Sequence, residues 1–151
     1  SPWRVEAQFK IGEAYFEQSR RAELDQTETW QALAAYRRFI SDNPGSPLVE
    51  DARKRITESR ARLAKKDFLS GRLYHRQGHL DAARMSYEQM MSTYPDTRWF
   101  WHGMARIGRV HAEQGNLEEA RAHWEEVLAG DSDDEDLLDD VRKWLSELGS
   151  E

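Results

Sequence analysis

The chain has 151 residues, 38% hydrophobic, 33% charged and 11% aromatic, a composition too apolar for a disordered tail and long enough to bury about 70% of its unfolded surface. A net charge of -6 argues against nucleic acid as the main partner, and the lack of cysteine excludes disulfides and thiolate metal ligands. No apolar run approaches the roughly 20 residues that a membrane span needs.

Strand signals are nearly absent, while helical spacing recurs along the whole chain. Ser1-Pro2-Trp3 leads almost at once into a helical pattern, which predicts a piece of a longer protein with any targeting sequence upstream. Val5, Phe9, Ile11, Gly12, Tyr15 and Phe16 predict an amphipathic helix to about residue 19. Thr27 or Thr29 is expected to cap a second helix, through Trp30, Leu33, Tyr36, Phe39 and Ile40, that stops before Asn43-Pro44-Gly45. Pro47 can open the next helix. From 48 to 77 there is no proline and a single glycine, which predicts one long uninterrupted helix ended by Gly78-His79. Further helices follow over about 81–94, 99–114 and 117–128, with Pro95-Asp96 and Gly115-Asn116 as their breaks. Residues 131–136 read as an acidic loop, and Leu137, Leu138, Val141, Trp144, Leu145 and Leu148 as a last amphipathic helix.

Charge is unevenly spread. Residues 50–67 carry a net +3, whereas 113–151 hold fourteen acidic residues against three basic ones. That acidic end serves either as a solvated face or as a means of steering a basic partner.

An internal period underlies the pattern. Gly71 is followed by Tyr74, Gly78, Ala83, Tyr87 and Pro95, and Gly108 by His111, Gly115, Ala120 and Trp124, with offsets of 3, 7, 12 and 16 in both. The first unit has Gly12 and Tyr15, then Ala32, Tyr36 and Pro44 displaced by eight residues, which places an eight-residue insertion around Arg20 to Glu28. Glycine and alanine fit where the two helices of a hairpin approach most closely, with aromatic residues filling the space beside them. These residues resemble the tetratricopeptide repeat (TPR) family. The resemblance implies an all-α fold, an α-α superhelix of about three helical hairpins plus a C-terminal capping helix, whose first helices line a concave face. On this reading the chain is a single domain over 1–151, with units at about 5–46, 64–96 and 101–132, a linking helix at 47–66 and a capping helix at 135–148.

A narrower resemblance rests on four stretches. They are Phe16-Glu17-Gln18 with Asp25-Gln26-Thr27; Tyr36-Arg37-Arg38-Phe39-Ile40 through Pro44 to Asp51-Ala52-Arg53; Arg62-Leu63-Ala64 through Gly71-Arg72-Leu73-Tyr74 to Gly78; and Thr93-Tyr94-Pro95-Asp96-Thr97. Together they are similar to the C-terminal half of the BamD family of outer-membrane assembly lipoproteins. The resemblance implies a periplasmic protein, anchored to the outer membrane by a lipid that this stretch does not carry. It also implies binding to the POTRA domains of the β-barrel insertase BamA and to small accessory lipoproteins. His111 departs from the tyrosine usual at its position. A TPR adaptor with another partner, such as a Tol-Pal-associated periplasmic coordinator, shares the tyrosine-proline ends.

By the same carry-over the exposed groove would hold Phe9, Glu13, Phe16, Phe68, Arg72, His75, Arg76, His102 and Arg109, suited to a helix or extended segment bearing acidic side chains. Phe9 and Phe68 read equally well as core. A chaperone-tail clamp would use the positions of Phe9, Glu13, Arg72, His102 and Arg106, and is not expected because there is no asparagine and Glu13 opposes it. Trp99-Phe100-Trp101 point in three directions from a helix start, so at least one is expected to face out as an interface anchor unless another surface covers it. Neither a metal nor a cofactor is expected: Gly78 separates His75 from His79, and Asp131, Asp133, Glu135 and Asp136 match a calcium loop in charge only, with capping of the last helix the better account. Without a nucleophile motif or a phosphate loop, the expectation is a non-catalytic scaffold.

Overall fold

The computed structural model describes residues 1–21 and 26–149. Among these residues the chain is all-α, with helices α1 (Pro2–Arg21), α2 (Thr27–Asp42), α3 (Val49–Arg76), α4 (Leu80–Thr93), α5 (Trp99–Glu113), α6 (Leu117–Ala129) and α7 (Glu135–Gly149) and no strand. No described helix is long and apolar enough to cross a membrane. The chain resolves into two compact units, Ser1–Leu63 and Ala64–Glu151, with the boundary inside the long α3. The centre of the expected insertion, including Asp25, lies outside the described residues.

In the first unit α1 and α2 form an antiparallel hairpin. Gln8 bonds Asp42 and Asn43 at one end, and Gly12 faces Tyr36 nearer the middle. A β-carbon on Gly12 would lie 2.8 Å from the Tyr36 ring, closer than side chains pack, so the tyrosine lies flat against a helix that only glycine lets it reach. Phe16, Ala32, Tyr36, Phe39, Val49 and Ala52 make the core, with Phe9 packed against it. The first half of α3 runs alongside α1 in the same direction, since Arg55 meets Glu13 and Arg62 meets Ser19.

The second unit repeats this contact twice. Tyr87 of α4 lies on Gly71 of α3, where an added β-carbon would stand 2.7 Å from the ring, and Trp124 of α6 lies closer still on Gly108 of α5. The larger indole needs a partner for its N–H, and donates it to the Ala105 carbonyl at 2.9 Å. Between the two hairpins Gly103 admits Met90 and Met91. Met104, Ala105, Ala120, Trp124, Val127, Leu137 and Val141 form one core cluster that ties α7 to α6.

The turns repeat as well. Gly78 and Gly115 hold φ of 81° and 83°, a left-handed conformation that side chains disfavour. Each closes the preceding helix with the same pair of bonds: His79 N–H to Tyr74 O and Gly78 N–H to His75 O, then Asn116 N–H to His111 O and Gly115 N–H to Ala112 O. Asn43 and Tyr94, each followed by a proline, end α2 and α4 with nearly equal backbone angles. Two capping expectations need correction. Neither threonine caps α2: Gln26 holds that position without a side-chain cap, and Thr29 donates to its Oε1 at 2.8 Å. The last helix is capped by Asp134, whose Oδ1 accepts the Leu137 N–H at 3.1 Å.

Gly71→Ala should overpack the hairpin against Tyr87 and cost about 1–3 kcal/mol. The drop in melting temperature that Gly71→Ala causes should shrink when the change is made in a Tyr87→Leu background, measured by thermal denaturation. Equal drops in the two backgrounds would show that the ring does not require the glycine.

Candidate protein-binding site

The residues expected to line a groove divide by unit. In the first unit they are turned to internal use. Phe16 is fully buried, so its assignment to an exposed groove is corrected: Arg55 and Arg62 each place a guanidinium 4.3 Å from its ring centre. Phe9 is half-buried against Tyr36 and Phe39, at 5.9 and 5.4 Å between ring centres. Glu13 accepts the Tyr36 hydroxyl and pairs with Arg55 Nε at 3.1 Å. Burial, followed by the bond to Glu13, raises the Tyr36 hydroxyl far above its ordinary range, so it stays a donor.

The second unit differs at the same place. Tyr87 is fully buried like Tyr36, but the residue after its glycine is Arg72 where the first unit has Glu13, and the Tyr87 hydroxyl has no hydrogen-bond partner. Arg72 from α3 and Arg106 and Arg109 from α5 all act electrostatically on that hydroxyl. Burial pushes it up to about 12, while the three guanidinium groups pull the other way. Burial and the neighbouring Arg109 and Arg72 hold Arg106 below the usual arginine range. Among the described residues none of the three arginines has a carboxylate within ion-pair distance; Arg109 lies 4.8 Å from the Trp144 ring centre. Glu113, which also reaches the hydroxyl electrostatically, is held by His75 Nε2 at 2.9 Å. The cluster is thus a set of half-buried cations whose charge reaches a buried hydroxyl that lacks an acceptor.

The other expected residues fall nearby. Phe68 is only 3% exposed, its ring tilted against Tyr87 at 5.6 Å and Trp99 at 5.2 Å, so of its two readings core holds and the exposed groove does not. Arg76 is exposed in the last turn of α3, and His79 precedes α4. His102 donates through Nε2 to Asp134 at 2.9 Å, where Arg98 also binds. Trp99, Phe100 and Trp101 are all half-buried within the second unit, so none of them faces out freely as the aromatic anchor that the sequence suggests. Trp99 packs on Phe68 and His102, and Phe100 meets Trp101 edge-on at 4.9 Å. Trp101 lies over Gly130 and donates to Asp131 at 2.9 Å. Sequence reasoning treated Tyr87 as structural alone; the signal for more is the exchange of Glu13 for Arg72 at matched positions, with Arg106 and Arg109 added one helix on.

The comparisons with known proteins fit this frame. A family model described as YfiO, outer membrane lipoprotein, matches residues 3–126, more than four fifths of the chain. The chain belongs to the YfiO outer membrane lipoprotein family. Among curated proteins, the outer membrane protein assembly factor BamD of Vibrio cholerae serotype O1 is 31% identical over 77 residues, 51% of this chain and 32% of that protein. The chain therefore spans about a third of the length of that relative. For this member of the YfiO family, the glycine-aromatic hairpins are the framework and the Tyr87 cluster is the open feature on it.

Burial sets the His102 imidazole below its ordinary 6.5, outweighing the bond to Asp134, so the unfolded chain takes up this proton first as pH falls. The stabilisation is complete above that value and declines below it. The melting temperature should fall as the pH drops below about 6.5, and His102→Gln should flatten the dependence. An unchanged slope in that variant would assign the acid sensitivity to other groups.

Proposed function

We propose that this chain is a non-catalytic protein-binding scaffold of the BamD type, part of a periplasmic lipoprotein at the outer membrane that supports assembly of β-barrel proteins there. Membership of the YfiO family and the likeness to an outer membrane protein assembly factor support this reading. The partners in view are the POTRA domains of BamA and small accessory lipoproteins. The observation that carries a binding role is the Tyr87 cluster. In the first unit Glu13 supplies the carboxylate that receives a buried tyrosine hydroxyl and an arginine; in the second unit Arg72 stands at that position and the hydroxyl is unmatched. An acidic side chain of a partner segment fills the role of Glu13, accepting from Tyr87 and from Arg72, Arg106 or Arg109.

A hydrogen bond to a charged group is worth about 1.5–3 kcal/mol, so losing one costs roughly tenfold or more in affinity. Arg72→Gln with Arg106→Gln should weaken binding to a POTRA-domain fragment by at least that factor in titration calorimetry, with helicity by circular dichroism unchanged. Affinity equal to that of the unaltered chain would reject the site. Binding that is weakened equally by a matched pair of surface changes, Lys65→Gln with Lys66→Gln, would reduce it to non-specific charge attraction.

A further inference from the structure

Each repeat has three further matched positions, at offsets of 3, 11 and 15 from the framework glycine, allowing for the eight-residue insertion in the first. In the first unit they are Tyr15, Gln31 and Ala35, which line one cleft. In the middle repeat they are Tyr74, Ala82 and Ser86. In the last repeat all three change to metal-ligating types, His111, Glu119 and His123. One ligand atom from each lies within 4.8 Å of the others. His111 comes from α5, while Glu119 and His123 are four residues apart on α6 and so share a face.

We propose that His111, Glu119 and His123 form a binding site for a first-row divalent metal ion, zinc above all, that clips α5 to α6 across the Gly115 turn.

Three features support a site beyond mere proximity. The Nδ1 of His111 is buried with no hydrogen-bond partner, so a lone pair or proton there is unmatched in the chain alone. The Nδ1 of His123 bonds the Glu119 carbonyl at 2.8 Å. A carbonyl only accepts, so that nitrogen carries the proton and Nε2 is left with the lone pair that a metal needs, the arrangement usual for metal-bound histidine. The two rings lie 5.1 Å apart and tilted, neither stacked nor bonded to each other. Zinc takes nitrogen and oxygen ligands at about 2.0–2.2 Å, so the three atoms need to close by about 1 Å, which the exposed Glu119 side chain permits by rotation. Two histidines and one carboxylate leave the fourth position of a tetrahedral zinc to water. The charges facing His111 from α4 are Arg84 and Glu88. Arg84 disfavours a cation there, but it is itself held by Asp81 at 3.5 Å and Glu88 at 3.6 Å. Sequence spacing alone did not suggest the trio, because seven residues and a turn separate His111 from Glu119.

The test uses the tag-free chain after removal of metal by chelation, titrated with zinc chloride by calorimetry and with cobalt(II) by visible absorption. One equivalent of zinc should bind, cobalt should give the absorption of a nitrogen- and oxygen-ligated tetrahedral ion, and saturating zinc should raise the melting temperature by roughly 5 °C or more. His111→Tyr, which restores the residue found at Tyr15 and Tyr74, together with His123→Ser, matching Ser86, should lower zinc affinity at least ~30-fold while leaving helicity intact, the outer-shell and ligand effects being of that order. The control variant His75→Ala/His79→Ala should bind as the unaltered chain does. No saturable zinc binding, or binding that survives in the His111→Tyr/His123→Ser variant, would overturn the assignment.

Discussion

A flat aromatic ring laid on a glycine is the contact on which the rest of the structure depends. Tyr36 on Gly12, Tyr87 on Gly71 and Trp124 on Gly108 each let two helices approach to a distance that any β-carbon would block. The ring then serves as both spacer and core, burying a large apolar surface worth about 1.5–3 kcal/mol at a site where a larger partner would clash. Around that contact the hairpins are closed by identical means: a left-handed glycine after the first helix in the second unit's two hairpins, and a proline just beyond the C-caps of α2 and α4. The backbone plan is fixed by these few residues, which frees the remaining faces of the helices to differ.

That freedom is where the proposed function enters. The same tyrosine position serves opposite ends in the two units. Tyr36 is satisfied from within by Glu13, which in turn holds Arg55, so the first unit consumes its own charges in binding itself together. Tyr87 keeps its ring contact but has exchanged the acid for Arg72, and α5 adds Arg106 and Arg109. A buried hydroxyl without an acceptor and a half-buried guanidinium without a counter-ion both cost stability, a cost consistent with a surface shaped for something other than its own fold. The overall charge of -6 hides this, because the acidic excess is gathered in the last 39 residues while these cations lie on α3 and α5.

The last repeat departs in a different way. Trp124 replaces the tyrosine and finds a carbonyl for its N–H, so no hydroxyl is left over. His111, Glu119 and His123 instead gather on the same hairpin. One scaffold thus carries a cationic cluster in one repeat and a mixed imidazole-carboxylate cluster in the next, each created by substitutions that leave the glycine-aromatic contact alone.

Much of this was legible in the chain itself, because helix boundaries, left-handed glycines and the spacing of glycine to aromatic are local or strictly periodic properties. The long α3 follows from the absence of breakers between 48 and 77, and the hairpin pairing from matched offsets at 12, 71 and 108. Which side of an aromatic or charged residue meets solvent was not legible. The family resemblance carries Phe16 and Phe68 onto groove positions, with core an equal reading for Phe68, yet whether those positions are open depends on what neighbouring helices lay over them, and both are buried. Trp101 is covered by Gly130, a residue 29 positions on that no helical period connects to it. Likewise the sequence supplies a tyrosine and three arginines, but only packing from three separate helices decides that the hydroxyl is buried unmatched among them.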